Sequence, residues 1–176
     1  MPTANSGRAA IRLSWSARPE RIEQCRRLSD DELATRPAHM RLRYECTGVF
    51  ARYLLVVERD GQRIAADTIR GGGLRHDRPM HLFQEILADP GGQRVTVSLS
   101  RLDSTSAETP STPETGGDTL LGARELRELD ERRRRAGEAI PPLLVLDTAL
   151  TLRPRQVLLV TYDGQARRLV ARTEDR

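Results

Sequence analysis

VFARYLLVVERDGQRIAADTI, at residues 49–69, is the stretch of sequence that decides the fold. Val49 to Arg59 is enriched in β-branched and aromatic residues, which is typical of a strand. Asp60-Gly61 follows with two residues that tolerate positive φ, as a tight hairpin turn requires. Because Arg63 to Ile69 can return as a second strand, this stretch predicts a β-hairpin.

Strand signals continue on both sides of this hairpin. Ile11, Leu13 and Trp15 alternate with polar residues in the segment from Ala10 to Ser16, the pattern of a half-buried strand. The other predicted strands are Met80 to Leu87, residues 95–99, Leu143 to Leu150, Gln156 to Tyr162 and Arg167 to Ala171. The sequence therefore predicts a mainly β fold, an antiparallel two-sheet sandwich, because its short strands are joined by turns rather than long helices.

Turn residues and apolar content refine this expectation. Asp89-Pro90-Gly91-Gly92 predicts a second hairpin beside the first, and Asp163-Gly164 predicts another. The segments Leu143 to Leu150 and Gln156 to Tyr162 are apolar enough to predict central strands of their sheets.

Two helical segments and one polar stretch interrupt the strands. Ser29-Asp30-Asp31-Glu32 is a capping-box pattern that predicts a short helix ending near Thr35, before Pro37. Asp103 to Thr119 is almost wholly polar and predicts a long exposed excursion, and Leu120 to Ala139 predicts one inserted surface helix. The predicted organisation is a flexible arm at 1–9, one sandwich domain from 10–102 and 140–172, and an inserted linker with an Arg-rich helix at 103–139.

All 29 basic residues are arginines, and 25 acids reduce the formal net charge to +4. Acids are interleaved with the arginines almost everywhere, whereas a nucleic-acid binder concentrates positive charge on one face. Even residues 124–138, which contain the run from Arg132 to Arg135, hold six arginines against five acids and no aromatic residue. The sequence therefore predicts no nucleic-acid partner. The arginines reflect either a general compositional bias or contacts with protein carboxylates.

The residues that could carry catalysis or bind a metal form no recognisable constellation. His39, His76 and His81 have no metal-ligand spacing, and no Gly-x-Ser-x-Gly element is present. The glycines at 71–73 are followed by neither a helix nor a Lys-Ser/Thr pair, so they predict a tight bend or a close backbone approach rather than a phosphate site. We expect no catalytic residue, no metal and no cofactor.

The two cysteines and the membrane signals point to different locations. Cys25 and Cys46 could close one disulfide in an oxidising compartment, or could remain two buried thiols. No stretch approaches the roughly 20 apolar residues that span a bilayer, and residues 1–10 resemble no signal peptide. Taken literally, the sequence predicts a chain that is not exported, and the cysteine pair leaves export open.

Several residues carry a resemblance to known proteins over roughly residues 11–102. They are Trp15, Cys25-Arg26-Arg27-Leu28-Ser29 with Glu32-Leu33, Pro37-Ala38-His39-Met40-Arg41, Cys46, Asp77-Arg78-Pro79, Phe83 and Glu85. In these the chain resembles a group of uncharacterised bacterial envelope-associated β-sandwich proteins, whose members carry an N-terminal membrane anchor that this sequence lacks. The chain is also similar to membrane-extrinsic accessory subunits of photosynthetic reaction centre and light-harvesting complexes. The first resemblance implies no assigned activity. The second implies an extrinsic subunit that stabilises the photosynthetic assembly, in which other subunits bind the pigments.

Together these features predict a non-enzymatic structural or scaffolding subunit that binds the protein subunits of a larger, membrane-embedded complex. We expect it to lie peripherally at the inner membrane, on the periplasmic face or alternatively the cytoplasmic face. The predicted partner-binding residues are Arg75, Arg78, Arg124, Arg127, Arg132, Arg133, Arg134 and Arg135. The alternatives are a stand-alone module for a peptide or carbohydrate, although aromatics make up only 3% of the chain, and a hydrolase site around His76, Asp77 and His81.

Overall fold

The computed structural model describes residues 7–103, 127, 130–131, 134–135 and 137–175, and at 24 and 25 it describes the backbone alone. These residues form a mainly β structure. In chain order the strands are β1 (Ala9–Ala17), β2 (Arg21–Arg27), β3 (Tyr44–Phe50), β4 (Tyr53–Arg59), β5 (Gln62–Ile69), β6 (Met80–Ala88), β7 (Gly91–Arg101), β8 (Leu143–Leu152), β9 (Gln156–Asp163) and β10 (Arg168–Asp175). One helix, α1 (Asp30–Thr35), and one 3-10 turn (Ala38–Met40) lie between β2 and β3.

The chain divides into two compact units. The first contains the described residues of 1–20, 50–103 and 138–176, and the second those of 21–49 and 104–137. Within the first unit the strands form two four-stranded sheets, in the orders β10-β9-β1-β6 and β5-β4-β7-β8. Their apolar inner faces supply the core, which confirms the predicted two-sheet sandwich. All neighbouring strands are antiparallel except β1 and β9, which pair in parallel.

Alternation along β4 and β7 supplies much of the core of the first unit. On β4, Tyr53, Leu55 and Val57 are fully buried, while Leu54 and Val56 between them point to the other face and are partly exposed. β7 behaves in the same way, but β1 alternates less strictly, because its first three residues are all buried. A period of two is what a strand requires when only one of its faces meets the core.

The hairpin at Asp60-Gly61 is confirmed. Asp60 and Gly61 have φ values of 50° and 79°, and β4 pairs antiparallel with β5. The predicted single strand from 49 to 59 is nevertheless divided, because β3 ends at Phe50 and β4 begins at Tyr53. The division follows from the hydrogen bonds of the two residues between the strands. Ala51 N–H donates to Glu20 O at 2.8 Å, and Arg52 N–H donates to the Asp103 carboxylate at 2.8 Å.

The segment from Asp89 to Gly92 does not form the predicted hairpin. It joins β6, in one sheet, to β7, in the other, so the chain crosses between the sheets here. Gly91 permits the crossing with a φ of 132°. β6 pairs instead with β1 over nine residues.

The hairpin after Asp163 is present, but its loop differs from the predicted two-residue turn. Residues 164–167 form the loop between β9 and β10, and the positive φ, 51°, falls at Arg167 rather than at Gly164. The Asp163 carboxylate accepts hydrogen bonds from the N–H groups of Gln165 and Ala166 at 2.9 and 3.0 Å. This side chain organises the loop and replaces the glycine conformation that the sequence suggested.

In the second unit β2 and β3, which the sequence did not predict as separate strands, pair as a two-stranded sheet. The capping box at α1 is confirmed, since the Ser29 side chain accepts from Glu32 N–H and the Glu32 side chain accepts from Ser29 N–H. The described residues of the predicted 120–139 helix are helical at 127, 130–131, 134–135 and 137–138. Beyond Asp103, the predicted 103–119 excursion lies outside the described residues, as does most of the 1–9 arm.

Candidate protein-binding face

Strand β8 was predicted to be central in its sheet, and this prediction is wrong for the sheet that the described residues form, because β8 lies at its edge. Its inner residues Leu144 and Leu152 are buried, but Leu143 and Val145 point outward and are 60% and 56% exposed. β9, with the same apolar composition, is central as predicted. The composition of β8 is therefore that of a covered strand, and its position is that of an uncovered one.

The register of the sheet continues this outward surface, without charge, across all four strands. Leu143 lies opposite Ser100 and Val145 opposite Ser98 on β7, and these serines lie opposite Leu54 and Val56 on β4. Two small residues of β5 complete the two rows. We call this surface the uncharged face, and its members are Leu54, Val56, Ala66, Thr68, Ser98, Ser100, Leu143 and Val145.

One ion pair bounds the uncharged face on the side of Val145. The Arg94 guanidinium donates to both carboxylate oxygens of Asp147, with Nε at 2.8 Å from Oδ1, and Thr96 also donates to this carboxylate. These donors hold the pKa of Asp147 below its usual value, with the Arg94 hydrogen bonds as the largest cause. The single charged residue of β8 is thus already neutralised by its neighbour on β7.

A second ion pair lies beyond the opposite end of the uncharged face. The Asp103 carboxylate accepts from Arg52 Nη2 at 2.8 Å and from Arg52 N–H at 2.8 Å. Both hydrogen bonds lower the pKa of Asp103, the side-chain bond more than the backbone one. Between these two pairs, the described outward side chains carry no charge over two cross-strand rows.

The outer edge of β8 also presents main-chain groups. Among the described residues, no strand pairs with β8 on the side away from β7. Natural edge strands are usually short or protected by Lys, Pro or bulges, yet β8 has ten residues, no basic residue and no proline. It can therefore accept another extended chain as an additional strand.

The predicted partner-binding arginines lie elsewhere. Arg75 and Arg78 are exposed in the loop of residues 70–79 between β5 and β6, which we call the glycine loop. The described helical arginines, at 127, 134 and 135, are exposed as well. Arg135 Nη2 lies 3.3 Å from Glu131 Oε2. Arg124, Arg132 and Arg133 are outside the described residues. Sequence reasoning missed the uncharged face, although the outward apolar positions 143 and 145 were its available signal.

The glycine loop forms the close backbone approach that the sequence predicted. A Cβ on Gly71 would lie only 2.1 Å from His76 O, so no other residue fits there without rearrangement. His76 has a φ of 54°, and its Nδ1 lies 2.9 Å from Gly71 O. This ring therefore helps to hold the loop.

The histidines do not assemble a metal site within the described part of the chain. His81 is exposed on β6, and Asp77 is exposed in the glycine loop. In the same part of the chain, no three His, Cys, Asp or Glu side chains are arranged to hold a metal ion.

Cys46 is disulfide-bonded. The chain contains one further cysteine, Cys25, on the paired strand β2. The Cys25 side chain lies outside the described part of the structure, so the Cys25–Cys46 pairing stays a prediction.

Comparison of the chain with protein families, with curated proteins and with solved structures finds no match. None of the described helical segments is both long and apolar enough to cross a membrane. The resemblances noted in the sequence therefore remain predictions, and the geometry of the described residues is what carries a functional proposal.

Proposed function

We propose that this chain is a non-enzymatic scaffolding protein that holds another protein through the uncharged face and the free edge of β8. The observation that carries the proposal is the outward exposure of Leu143 and Val145 on a ten-residue edge strand with which no described strand pairs on the side away from β7. Exposed apolar side chains on an edge strand favour a protein-binding site, because an unpaired edge can accept another chain and the apolar side chains can be buried against it.

The proposed contact has two components. An extended segment of the partner adds to β8 by main-chain hydrogen bonds, which give affinity with little demand on its sequence. Apolar partner side chains then cover Leu143 and Val145, each contributing about 1 kcal/mol because roughly half of each side chain is still to be buried. The Arg94–Asp147 pair forms a polar rim at one end of this contact.

The rest of the proposal concerns the assembly. We place the chain peripherally at a membrane surface, with the exposed helical arginines, such as Arg127 and Arg134, as further contacts for partner carboxylates. That the assembly is a bacterial photosynthetic reaction centre with its light-harvesting complex rests on the sequence resemblance alone. The alternative, a stand-alone module for a peptide or carbohydrate, likewise stays a prediction.

The test is gentle affinity purification of the full chain from its own cells, as wild type and as the Val145→Arg variant. A positive charge at this position must be desolvated when a partner covers the face, so binding should be lost while folding is retained. We expect a protein that co-purifies with the wild-type chain in a fixed ratio and is absent from the variant. Ser16→Arg is the matched control, because Ser16 is exposed on β1 in the other sheet.

Three outcomes would contradict the proposal. The first is that no protein co-purifies with the wild type in a fixed ratio. The second is that the Val145→Arg variant retains the same proteins as the wild type, and the third is that the Ser16→Arg variant loses them as well. Light scattering on the purified wild-type chain provides the remaining check. The wild type could have twice the mass of one chain, and the Val145→Arg variant the mass of one. The face would then be a contact between two copies, and the proposal of a scaffold for other proteins would be overturned.

A further inference from the structure

The segment between α1 and β3 exposes apolar side chains in alternation with arginines. Met40, Leu42 and Tyr44 are 54%, 48% and 52% exposed, and Arg41 and Arg43 lie between them. We call residues 37–44 the basic–apolar loop. It contains no acidic residue.

The loop is held in this form by its own hydrogen bonds. Met40 N–H donates to Pro37 O at 2.8 Å, and Leu42 N–H donates to Met40 O at 2.9 Å. Arg43 O accepts from Leu28 N–H at 2.9 Å, which ties the end of the loop to the segment after β2. The exposed apolar side chains therefore stand on an ordered backbone, and a surface that binds them would meet a preformed shape.

The acids nearest in sequence are already engaged by other arginines. Arg26 bridges the carboxylates of Glu32 and Glu45, with N–O distances of 2.8 Å to each, and Arg36 lies 3.1 Å from Glu45. Hydrogen bonds from Ser29 N–H and Arg26 lower the pKa of Glu32 to about 2, and Arg36 and Arg26 lower that of Glu45. Both acids are thus ionised and partnered at neutral pH.

This leaves the charges of the loop itself available. Arg41 donates through Nε to Arg36 O at 3.0 Å, and neither Arg41 nor Arg43 forms an ion pair with a carboxylate among the described residues. The loop is consequently a compact site with two positive charges and three exposed apolar side chains.

Such a mixture suits a lipid–water interface. Arginines at a bilayer keep their guanidinium groups among the phosphates while their stems lie along apolar surface. Tyrosine favours the same depth, and an anionic membrane attracts each arginine near its surface. We propose that the basic–apolar loop inserts into the interfacial region of an anionic membrane.

This inference deepens the proposed function, since it rests on the same peripheral location and names the residues that make the membrane contact. It does not depend on the uncharged face or on any partner protein. Arg41 and Arg43 supply the preference for anionic headgroups, and Met40, Leu42 and Tyr44 supply the insertion.

The experiment is co-sedimentation of the full oxidised chain with vesicles of phosphatidylcholine alone and with vesicles that also contain phosphatidylglycerol. We expect binding to the anionic vesicles that weakens with added salt. Arg41→Gln with Arg43→Gln should weaken it about thirty-fold, because two basic residues are lost. Met40→Ser with Leu42→Ser should weaken it roughly tenfold or more.

Val49→Ser is the matched control. Val49 lies in the same unit, outside the loop, and is 63% exposed. The Val49→Ser variant should therefore bind anionic vesicles as the wild type does. The inference is overturned if the wild type fails to bind, if Val49→Ser loses as much affinity as the Met40/Leu42 variant, or if the Met40/Leu42 variant binds normally. Soluble polyglutamate tests whether the loop binds an acidic protein instead. If polyglutamate binds tightly and displaces the vesicles, the loop is a site for acidic protein and the membrane proposal is overturned.

The Val145→Arg variant separates this inference from the proposed function. It should lose the co-purifying protein but bind vesicles normally. If the wild type fails to bind vesicles but still co-purifies with a protein, the membrane contact is contradicted and the scaffolding proposal stands. The reverse pattern would remove the scaffold alone.

Discussion

The two units of this chain expose apolar side chains in opposite settings. The uncharged face of the first unit presents Leu143 and Val145 among serines and small residues, whereas the basic–apolar loop of the second presents Met40, Leu42 and Tyr44 among arginines. Exposed apolar side chains therefore stand without charge in one unit and beside arginines in the other. We propose a protein partner for the first surface and an anionic membrane for the second.

The units also differ in what stabilises them. The first buries the inner residues of two sheets, and in the second the described buried side chains of residues 21–49 are Ile22 and Leu28. The second unit relies instead on the disulfide at Cys46, the capping box at Ser29 and the ion pairs of Arg26. We conclude that the first unit is stable through its core and the second through local bonds, which the following changes test.

The largest effect is expected from Leu55→Ala on β4. Leu55 is fully buried, so its truncation loses the favourable burial of the deleted apolar atoms and leaves a cavity. The free energy of unfolding should fall by about 2–5 kcal/mol. Leu54→Ala, one residue earlier on the outward side, should cost less than Leu55→Ala, because Leu54 is only partly buried. Denaturant titration of both variants measures the difference, and equal losses would mean that the uncharged face is already covered in the free chain.

Cys46→Ser should destabilise the second unit by about 3 kcal/mol, because the predicted partner Cys25 closes a loop of moderate length. Hydrogen exchange should then become fast at residues 21–49 and stay slow on β4 and β7. Exchange that accelerates equally in both units would show that the units unfold together. A treatment of the wild type with reductant should reproduce the pattern of the variant.

Acidification should weaken the second unit more gradually. The folded pKa of Glu32 is lowered from 4.5 to about 2, so its contribution to stability is complete above pH 4.5 and is lost as the pH falls towards 2. The protection factor of the α1 amides, which is corrected for the intrinsic exchange rate at each pH, should fall across this range. Glu32→Gln should show little of this change, and a wild-type profile that is flat down to pH 2 would contradict the role of the Arg26 and Ser29 contacts.

Features whose partners are close in sequence were predictable. The capping box at Ser29 needs only residues within four positions, and the turn at Asp60-Gly61 needs only the backbone preference of those two residues. The alternation on β4 and β7 likewise reports burial directly, because it depends on the period of the strand and not on its neighbours.

Features that depend on distant partners were not predictable. Asp89-Pro90-Gly91-Gly92 has turn composition whether it joins neighbours or crosses between sheets, and only the pairing of β6 with β1 decides which. The break at Ala51 and Arg52 depends on Glu20 and Asp103, which no local pattern reveals.

The sequence by itself thus determined the mainly β fold, the first hairpin and the capped helix, because periodicity and turn chemistry are local. Only the tertiary structure decided that β8 is an edge strand and β9 a central one, since the two share an apolar composition. The order of strands depends on which distant segments pair, and that order turns Leu143 and Val145 from expected core residues into a candidate binding face.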